Sequence, residues 1–159
     1  MAGSKFLLTM QLTTQGKIRG GGSRKGGSLD TSKGIECHAF EYGTVVPYDS
    51  HTGLTSGKRQ HSPITVTREV DSASPKLYQA LCTNEAFTEA TISFFKPSKE
   101  GKPVVYHTIT LTNGAIADIR QFGVRKGKRC ESISLDYESI KINGLPTEIE
   151  PIHWLRRYA

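Results

Sequence analysis

The sequence lacks the features of disulfide-stabilised, membrane-spanning and signal-peptide-dependent proteins. Its three cysteines, Cys37, Cys82 and Cys130, are odd in number and far apart, so they predict neither a disulfide framework nor a paired metal site. No run approaches the roughly twenty apolar residues that a membrane-spanning helix needs. The N-terminal MAGSKFLLTMQLTTQ lacks the charged start, apolar centre and cleavage site of a signal peptide. We therefore expect a chain made in the reducing cytoplasm, without membrane insertion, that leaves, if at all, by another route.

Signatures of catalysis and of metal or cofactor binding are missing as well. The five histidines are His38, His51, His61, His107 and His153. None has a second ligand at a metal-binding spacing on a predicted helix. Ser93 and Lys96 match a bare SxxK pattern, but on a predicted strand the lysine does not return to the serine. Asp136 and Glu138 are spaced as on a wet strand face, which is commoner than an acid–base pair. The sequence predicts no enzyme, no cofactor and no metal site.

Basic residues are in excess, with 21 Lys and Arg against 15 Asp and Glu and a net charge of +6. Much of the excess lies in the glycine-rich stretch from Gly16 to Gly34, which reads as a solvated loop, and in the turn from Arg125 to Arg129. The glycine-rich stretch contains neither GxGxxG nor GxxxxGK followed by Ser or Thr, the spacings that bind phosphate. Neither basic segment interleaves the aromatic residues that would stack on bases, so the sequence does not favour nucleic acid as a partner.

One alternative function still follows from this charge. It is a monomeric basic β-barrel that binds nucleic acid or another anionic ligand, with binding that falls steeply as salt rises. Its binding residues would be Lys17, Arg19, Arg24, Lys25 and the turn from Arg125 to Arg129.

The clearest structural signal is a strand followed directly by a helix. Residues 64 to 70 alternate between apolar and polar types, which predicts a half-buried strand. Ser74 is predicted to cap the following helix, and Pro75 suits the first helical position. Apolar residues then recur at three- and four-residue spacing as far as Asn84, which predicts a helix of about three turns. No other segment predicts a helix as clearly.

Strand patterns cover most of the remaining chain. They predict strands from Phe6 to Leu12, Ile35 to Tyr42, Ala90 to Phe94 and Val104 to Leu111. Asn113-Gly114 predicts a hairpin turn, with a return strand from Ala115 to Val124. In the last long strand the apolar parity changes, so we expect a bulge or bend near Glu138-Ser139. Residues 1–159 are predicted to form a single domain that is mainly β: a compact antiparallel β-barrel with one α-helix.

A long connection separates two of these predicted strands. From Gly43 to Gln60 the sequence is rich in Gly, Ser and Thr, yet it begins with Val45 and Val46 before Pro47. A long loop with an apolar start usually carries a contact.

Four stretches, in order, resemble the haemolysin-coregulated protein (Hcp) family of type VI secretion systems. They are KGIECHAFEYG, ITVTREVDSASPKLYQALCTNE, VVYHTITLTNGAIADI and ESISLDYESIKI. The most specific positions are Asp71, Ser74, Pro75, Leu77 and Leu81. The resemblance covers residues 35 to 142. The chain departs from the family pattern in the stretch from Gly20 to Gly27, which looks like an insertion, and in the C-terminal tail.

This resemblance implies an Hcp-like tube subunit that is not an enzyme. Such subunits form homohexameric rings with a wide channel, and the rings stack into a tube. The tube is driven outward by a sheath behind a spike, and small effector proteins travel in its lumen. The partners implied are therefore further copies of the chain, the spike and sheath components, and effectors. Export to the extracellular space or a target cell would need no signal peptide.

A ring also suits the predicted sheet, because exposed strand edges need a partner and a heterologous contact can close on itself. Within such an assembly, the expected contact residues on a neighbouring subunit or ring are Val45, Val46, Pro47, Tyr48 and His51. The alternative is that this segment folds back onto its own barrel.

Two polar strand faces are candidates to line the channel. One carries Thr65, Thr67 and Glu69, and the other carries Thr108 and Thr110. The sequence does not decide between them.

Overall fold

The computed structural model describes most of the chain. The described residues are 5–20, 34–57, 60–125, 127–143 and 152–154, with the backbone alone at 124, 125 and 152–154. All of the inserted stretch from Gly20 to Gly27 except Gly20 lies outside these ranges. Arg24, Lys25 and Lys126, three residues of the alternative anion site, therefore also lie outside the described residues.

Strands dominate the described residues, which contain a single helix. In chain order the strands are β1 Phe6–Leu12, β2 Gly16–Lys17, β3 Ile35–Cys37, β4 Ala39–Glu41, β5 Thr44–Val45, β6 Gln60–His61, β7 Ile64–Glu69, β8 Ala86–Pro97, β9 Pro103–Arg125, β10 Lys128–Asn143 and β11 Ile152–Trp154. Helix α1, Ser74–Cys82, lies between β7 and β8. The predicted mainly β fold with one helix is confirmed.

Nine of the strands form one antiparallel sheet. Its order is β2-β1-β8-β9-β10-β7-β4, with β11 paired to β10 and β3 paired to β1. The sheet is not a closed ladder, but β3 and β4 bring its two sides together: β3 pairs with β1 and β4 pairs with β7. His38, which separates β3 from β4, donates its backbone N–H to the carbonyl of Thr67 at 2.9 Å. The form is therefore barrel-like, as predicted.

The break at His38 corrects one detail of the predicted strand from Ile35 to Tyr42. An unbroken strand would place Ile35, Cys37 and Ala39 on one face. Instead Ile35 and Cys37 are buried, Ala39 is exposed, and Phe40 packs against the core. The interruption changes the parity, so apolar residues on both sides of it face inward.

The predicted hairpin at Asn113-Gly114 is wrong. β9 runs unbroken for 23 residues and pairs with β8 on one side and β10 on the other. Asn113 has a left-handed backbone with φ of +50°, which bends the strand without reversing it. The buried positions change parity there, from Leu111 to Ile116. What was predicted as a return strand is the second half of the same strand.

The bend continues into the strands on both sides of β9. In β8 the buried parity changes between Phe87 and Ala90, and in β10 it changes between Tyr137 and Ile140. The expected change of face near Glu138-Ser139 is thus confirmed, although the register shifts between β10 and β9 lie elsewhere in β10. The bend crosses these three strands, so the apolar residues of the two halves of each strand face the same core.

Helix α1 packs against β9 and buries Leu77 and Ala80. The prediction that Ser74 caps the helix is wrong, because Ala73 is the N-cap residue and no side chain caps the helix there. Pro75 lies in the first turn, as expected. The predicted end near Asn84 is confirmed: Asn84 has φ of +51°, and its N–H donates to the carbonyl of Leu81 at 3.2 Å.

Glu85 connects the end of the helix to the turn after β1. Its Oε1 accepts the backbone N–H groups of Thr14 and Gln15, the latter at 2.7 Å, and its Oε2 accepts the Gln15 side-chain amide at 3.0 Å. Desolvation by burial acts to raise the pKa of Glu85, but the hydrogen bonds from Gln15 and Thr14 outweigh it and lower the pKa below 4.5. The ionised carboxylate therefore supports this connection at neutral pH.

Gly114 gives a test of how tightly the strands pack at the bend. A Cβ atom at this position would overlap the carbonyl oxygen of Asp136 and lie 2.5 Å from Cζ of Phe87. We expect Gly114→Ala to lower the free energy of unfolding by about 3 kcal/mol, because the backbone of β10 must move. Urea unfolding measures this change.

Gly123→Ala is the matched control, since Gly123 lies on the same strand with no atom within 4 Å of its added Cβ. It should change the free energy of unfolding by about 0.5 kcal/mol or less. Equal unfolding midpoints for the two variants would show that the bend tolerates a side chain at position 114.

Candidate functional site

The predicted contact residues lie on a hairpin that stands apart from the main sheet. We call the described residues 44–57 and 60–61 the arm. At its base β5 pairs with β6, Thr44 opposite His61 and Val45 opposite Gln60. Farther out, Tyr48 and Thr55 form an isolated antiparallel bridge. The segment that looked like a long loop is therefore a paired hairpin.

Backbone hydrogen bonds also hold the tip of the arm. Asp49 donates its N–H to the carbonyl of Leu54, and Gly53 donates to the carbonyl of Asp49, both at 2.8 Å. Ser56 donates to the carbonyl of Pro47 at 2.8 Å. These bonds give the tip a defined shape without any apolar core beneath it.

The apolar side chains of the arm face solvent. Val45 is 57% exposed, Tyr48 is 68% exposed and Leu54 is 69% exposed, with Val46 at 37%. Pro47 is half-buried, and His51 is exposed with its N–H bonded to Oδ1 of Asp49 at 2.8 Å. The alternative in which this segment folds back onto its own barrel is therefore wrong. That the arm contacts another copy of the chain stays a prediction.

Leu54 belongs with these residues, although the predicted contact set did not include it. It is an isolated apolar residue in a stretch of Gly, Ser and Thr. That isolation was the available signal, because a lone leucine in a polar hairpin has no core of its own to enter.

A polar cluster joins the arm to the barrel. We call its five residues, Tyr42, Thr44, His61, Ser62 and Tyr137, the arm base. Oη of Tyr42, Oγ1 of Thr44 and Nδ1 of His61 form a triangle with sides of 2.7, 3.0 and 3.1 Å. Tyr137 donates its hydroxyl to the carbonyl of Ser62 at 2.9 Å. Burial of the Tyr137 hydroxyl raises its pKa, and the neighbouring Tyr42 raises it further. The hydroxyl of Tyr137 therefore stays protonated at neutral pH and can donate this hydrogen bond.

A second polar cluster lies inside the barrel, where Asp71 and Ser74, two of the most specific positions of the family resemblance, meet Arg68 and Glu131, for which no role was predicted. Arg68 and Glu131 are fully buried partners on β7 and β10, with Nη1 of Arg68 2.6 Å from Oε1 of Glu131. Arg68 also pairs with the carboxylate of Asp71. Ser74 donates its hydroxyl to Oε1 of Glu131 at 2.9 Å. We call these four residues the buried ion network.

Arg68 could have been recognised from parity. It occupies the same strand face as Val66, which is buried, so the alternation directs it inward. A buried charge needs a partner, but the partner is Glu131, 63 residues later in the chain. No feature of the sequence near Arg68 identifies Glu131 as its partner.

Cys37 is fully buried, and its thiol is not activated. Burial raises its pKa from 9.0 to about 12, although the nearby charge of Arg68 acts in the opposite direction. A thiol that stays protonated at neutral pH is a poor nucleophile and metal ligand. Within the ranges that the structure describes, no group of three or more His, Cys, Asp and Glu side chains could hold a metal ion.

The two candidate channel faces both lie on the surface of the barrel. Thr65, Thr67 and Glu69 are half-buried, and so are Thr108 and Thr110. Thr65 shares a hydrogen bond of 3.0 Å between its hydroxyl and that of Ser134 on the neighbouring strand. Which face lines a channel stays a prediction.

The described residues of the alternative anion site lie in two segments of the chain, one at β2 and one at the turn between β9 and β10. Lys17 lies on β2, and Arg19 follows it; both are exposed. At the other basic segment, Nζ of Lys128 is 3.3 Å from Oε2 of Glu69, so part of the charge of Lys128 is already compensated.

The described residues contain one helix, α1, which has nine residues. No helix among the described residues is long and apolar enough to span a bilayer.

Comparisons of the sequence and of the fold with known proteins lead to the same family. The family model described as "Type VI secretion system effector, Hcp" matches residues 11–143. The chain belongs to the Hcp family. A curated relative, the "Major exported protein" of Pseudomonas aeruginosa, is 32% identical over 88 residues, which are 55% of this chain. The match spans 51% of that relative, about half of its length.

Solved Hcp structures share the fold along nearly the whole chain. Hcp1 from Escherichia coli EAEC 042 superposes with a TM-score of 0.82 at 24% identity, covering 96% of this chain and 98% of that one. The secreted protein Hcp3 from Pseudomonas aeruginosa gives a TM-score of 0.74 at 22% identity, with coverage of 95% and 98%. At these identities the likeness establishes the Hcp fold.

The buried ion network predicts strong non-additivity. Arg68→Met alone should lower the free energy of unfolding by about 3 to 5 kcal/mol, because Glu131 is left buried without its main partner. The double variant Arg68→Met with Glu131→Leu should recover most of that loss, since neither charge remains. Urea unfolding of the wild type, both single variants and the double variant gives the coupling.

The exposed pair Lys128 and Glu69 supplies a control on the same two strands. Replacing either residue by Met or Leu should cost at most about 1 kcal/mol. Additive losses at positions 68 and 131 would contradict the assignment of these residues as one buried unit.

Proposed function

We propose that this Hcp-family chain is a structural subunit of the type VI secretion tube and is not an enzyme. Six copies form a ring, and rings stack into a tube with a wet central channel. Family membership and the barrel-like fold support this assignment, and the arm gives the observation that carries it. Ordered apolar side chains that stand free in the single chain are typical of a surface that another protein covers.

A second copy is the partner that this arrangement favours. A ring needs a heterologous contact, in which one surface of each subunit meets a different surface of the next. An arm that projects from its own barrel can supply one half of such a contact. Val45, Val46, Pro47, Tyr48 and His51 are the proposed contact residues, and Leu54 extends the same exposed apolar surface.

The further partners follow from the same assignment. The tube meets the spike and the sheath of the secretion machine and carries small effector proteins in its lumen. The chain is made in the cytoplasm and exported to the extracellular space or into a target cell by the machine it helps to build. The name of the Pseudomonas aeruginosa relative, a major exported protein, supports export.

The arm can be tested by placing charge on its apolar surface. Replacing Val45 and Val46 together with Asp should weaken assembly by at least about tenfold in concentration, because carboxylates would be desolvated in the contact. The barrel should remain folded, since both valines are exposed in the single chain. Light scattering across a concentration series measures assembly, and circular dichroism checks the fold.

Val104 and Val105 offer a matched control. They are also adjacent exposed valines, at 46% and 45% exposure, but they lie on β9 outside the arm. The corresponding double Asp variant should assemble better than the arm variant. Rings and stacks that form from the arm variant at wild-type concentration would rule out the arm as a contact.

A further inference from the structure

The arm is attached to the barrel by directional polar contacts. Its two strands, β5 and β6, form a separate small sheet and pair with no strand of the main sheet. Among the described residues of the arm, His61 alone is buried, with 9% exposure. The arm therefore has almost no apolar packing to fix its direction, and the arm base has to do so.

The arm base holds both the outgoing and the returning chain. On the outgoing side, the hydroxyls of Tyr42 and Thr44 converge on Nδ1 of His61, which lies on the returning side. The rings of Tyr42 and His61 are stacked at an interplanar angle of 14°, with centroids 6.5 Å apart. A hydrogen bond constrains both distance and angle, so this arrangement limits rotation of the hairpin about its base.

Gly43 and Ser62 close a second connection at the same level. Ser62 donates its N–H to the carbonyl of Gly43 at 2.9 Å and its hydroxyl to that carbonyl at 2.8 Å. Gly43 donates its N–H to Oγ of Ser62 at 2.9 Å. The hydroxyl of Tyr137, on β10 of the main sheet, then fixes the Ser62 carbonyl. The pair of chains is thus bonded to itself and to the barrel wall.

We infer that Tyr42, Thr44, His61 and Tyr137 are positioning residues that preset the direction of the arm for its contact with a second copy of the chain. This inference rests on the proposed function, because it assigns a role to the arm in assembly. The physical reason is preorganisation. A hairpin that already points in its bound direction loses less conformational freedom when it docks, so the contact is stronger for the same buried surface.

The test removes the two hydroxyls that converge on His61 and preserves the shapes of their side chains. The double variant Tyr42→Phe with Thr44→Val leaves the ring stack and the β5–β6 pairing in place. Hydrogen exchange is followed separately in the arm and in β8 and β9, and light scattering measures the concentration needed for assembly. A role confined to overall stability would change exchange in the barrel strands as well.

We expect arm amides to exchange about tenfold faster, with unchanged exchange in β8 and β9, because His61 has lost two partners near its Nδ1. The concentration needed for assembly should rise about tenfold. Thr44→Ser, which keeps the hydroxyl, should restore both values when combined with the native Tyr42. Tyr106→Phe, which removes a tyrosine hydroxyl on β9 outside the arm base, should leave both unchanged.

Three other results would overturn parts of this account, and they are distinguishable. Faster arm exchange with assembly at the wild-type concentration would overturn the positioning role. Faster exchange in the arm and the barrel together would show that the hydroxyls support the whole fold, which also overturns it. A wild-type chain that stays monomeric would overturn the proposed function, whereas exchange confined to the arm would still identify the arm base as its clamp.

Discussion

The bend through β8, β9 and β10 is the constraint on which the barrel depends. At its centre, Gly114 packs so closely against Asp136 and Phe87 that a side chain would overlap both. The bend reverses which parity of residues faces inward, so the two halves of each long strand share one core. Without it, strands of this length would bury one half of their apolar residues and expose the other.

The arm follows a different physical rule from the barrel. Burial of apolar surface holds the barrel together, whereas hydrogen bonds at the arm base and along the hairpin hold the arm. A projection built this way keeps its apolar side chains, such as Tyr48 and Leu54, available on the surface. Stability and availability for contact therefore depend on different parts of the chain, as the proposed tube subunit would require.

Much of this fold could be predicted from the sequence, because the periodicity of a strand or helix is set by residues close together in the chain. The strand Phe6–Leu12 and the helix end at Asn84 followed directly from spacing. Asn113-Gly114 was interpreted wrongly because a left-handed asparagine serves a bend as well as a turn. Only the pairing of β9 with continuous strands on both sides distinguishes the two.

The candidate site was less predictable, because its properties depend on distant parts of the chain. The apolar start of a long connection singled out Val45 and Tyr48, but their exposure depends on the direction in which the arm leaves the barrel. In the sequence, His61 shows only that it has no metal-ligand spacing to another residue. Its role at the arm base comes from Tyr42 and Thr44, 19 and 17 residues away.

The mass of the purified protein in solution, measured by light scattering behind a sizing column at low and at moderate salt, tests the central claim most directly. A tube subunit predicts a stable species near six times 17.5 kDa at both salt concentrations, with rings visible by electron microscopy. A clean monomer at every concentration would contradict the account. Binding of nucleic acid by that monomer, lost steeply as salt rises, would favour the basic-barrel alternative.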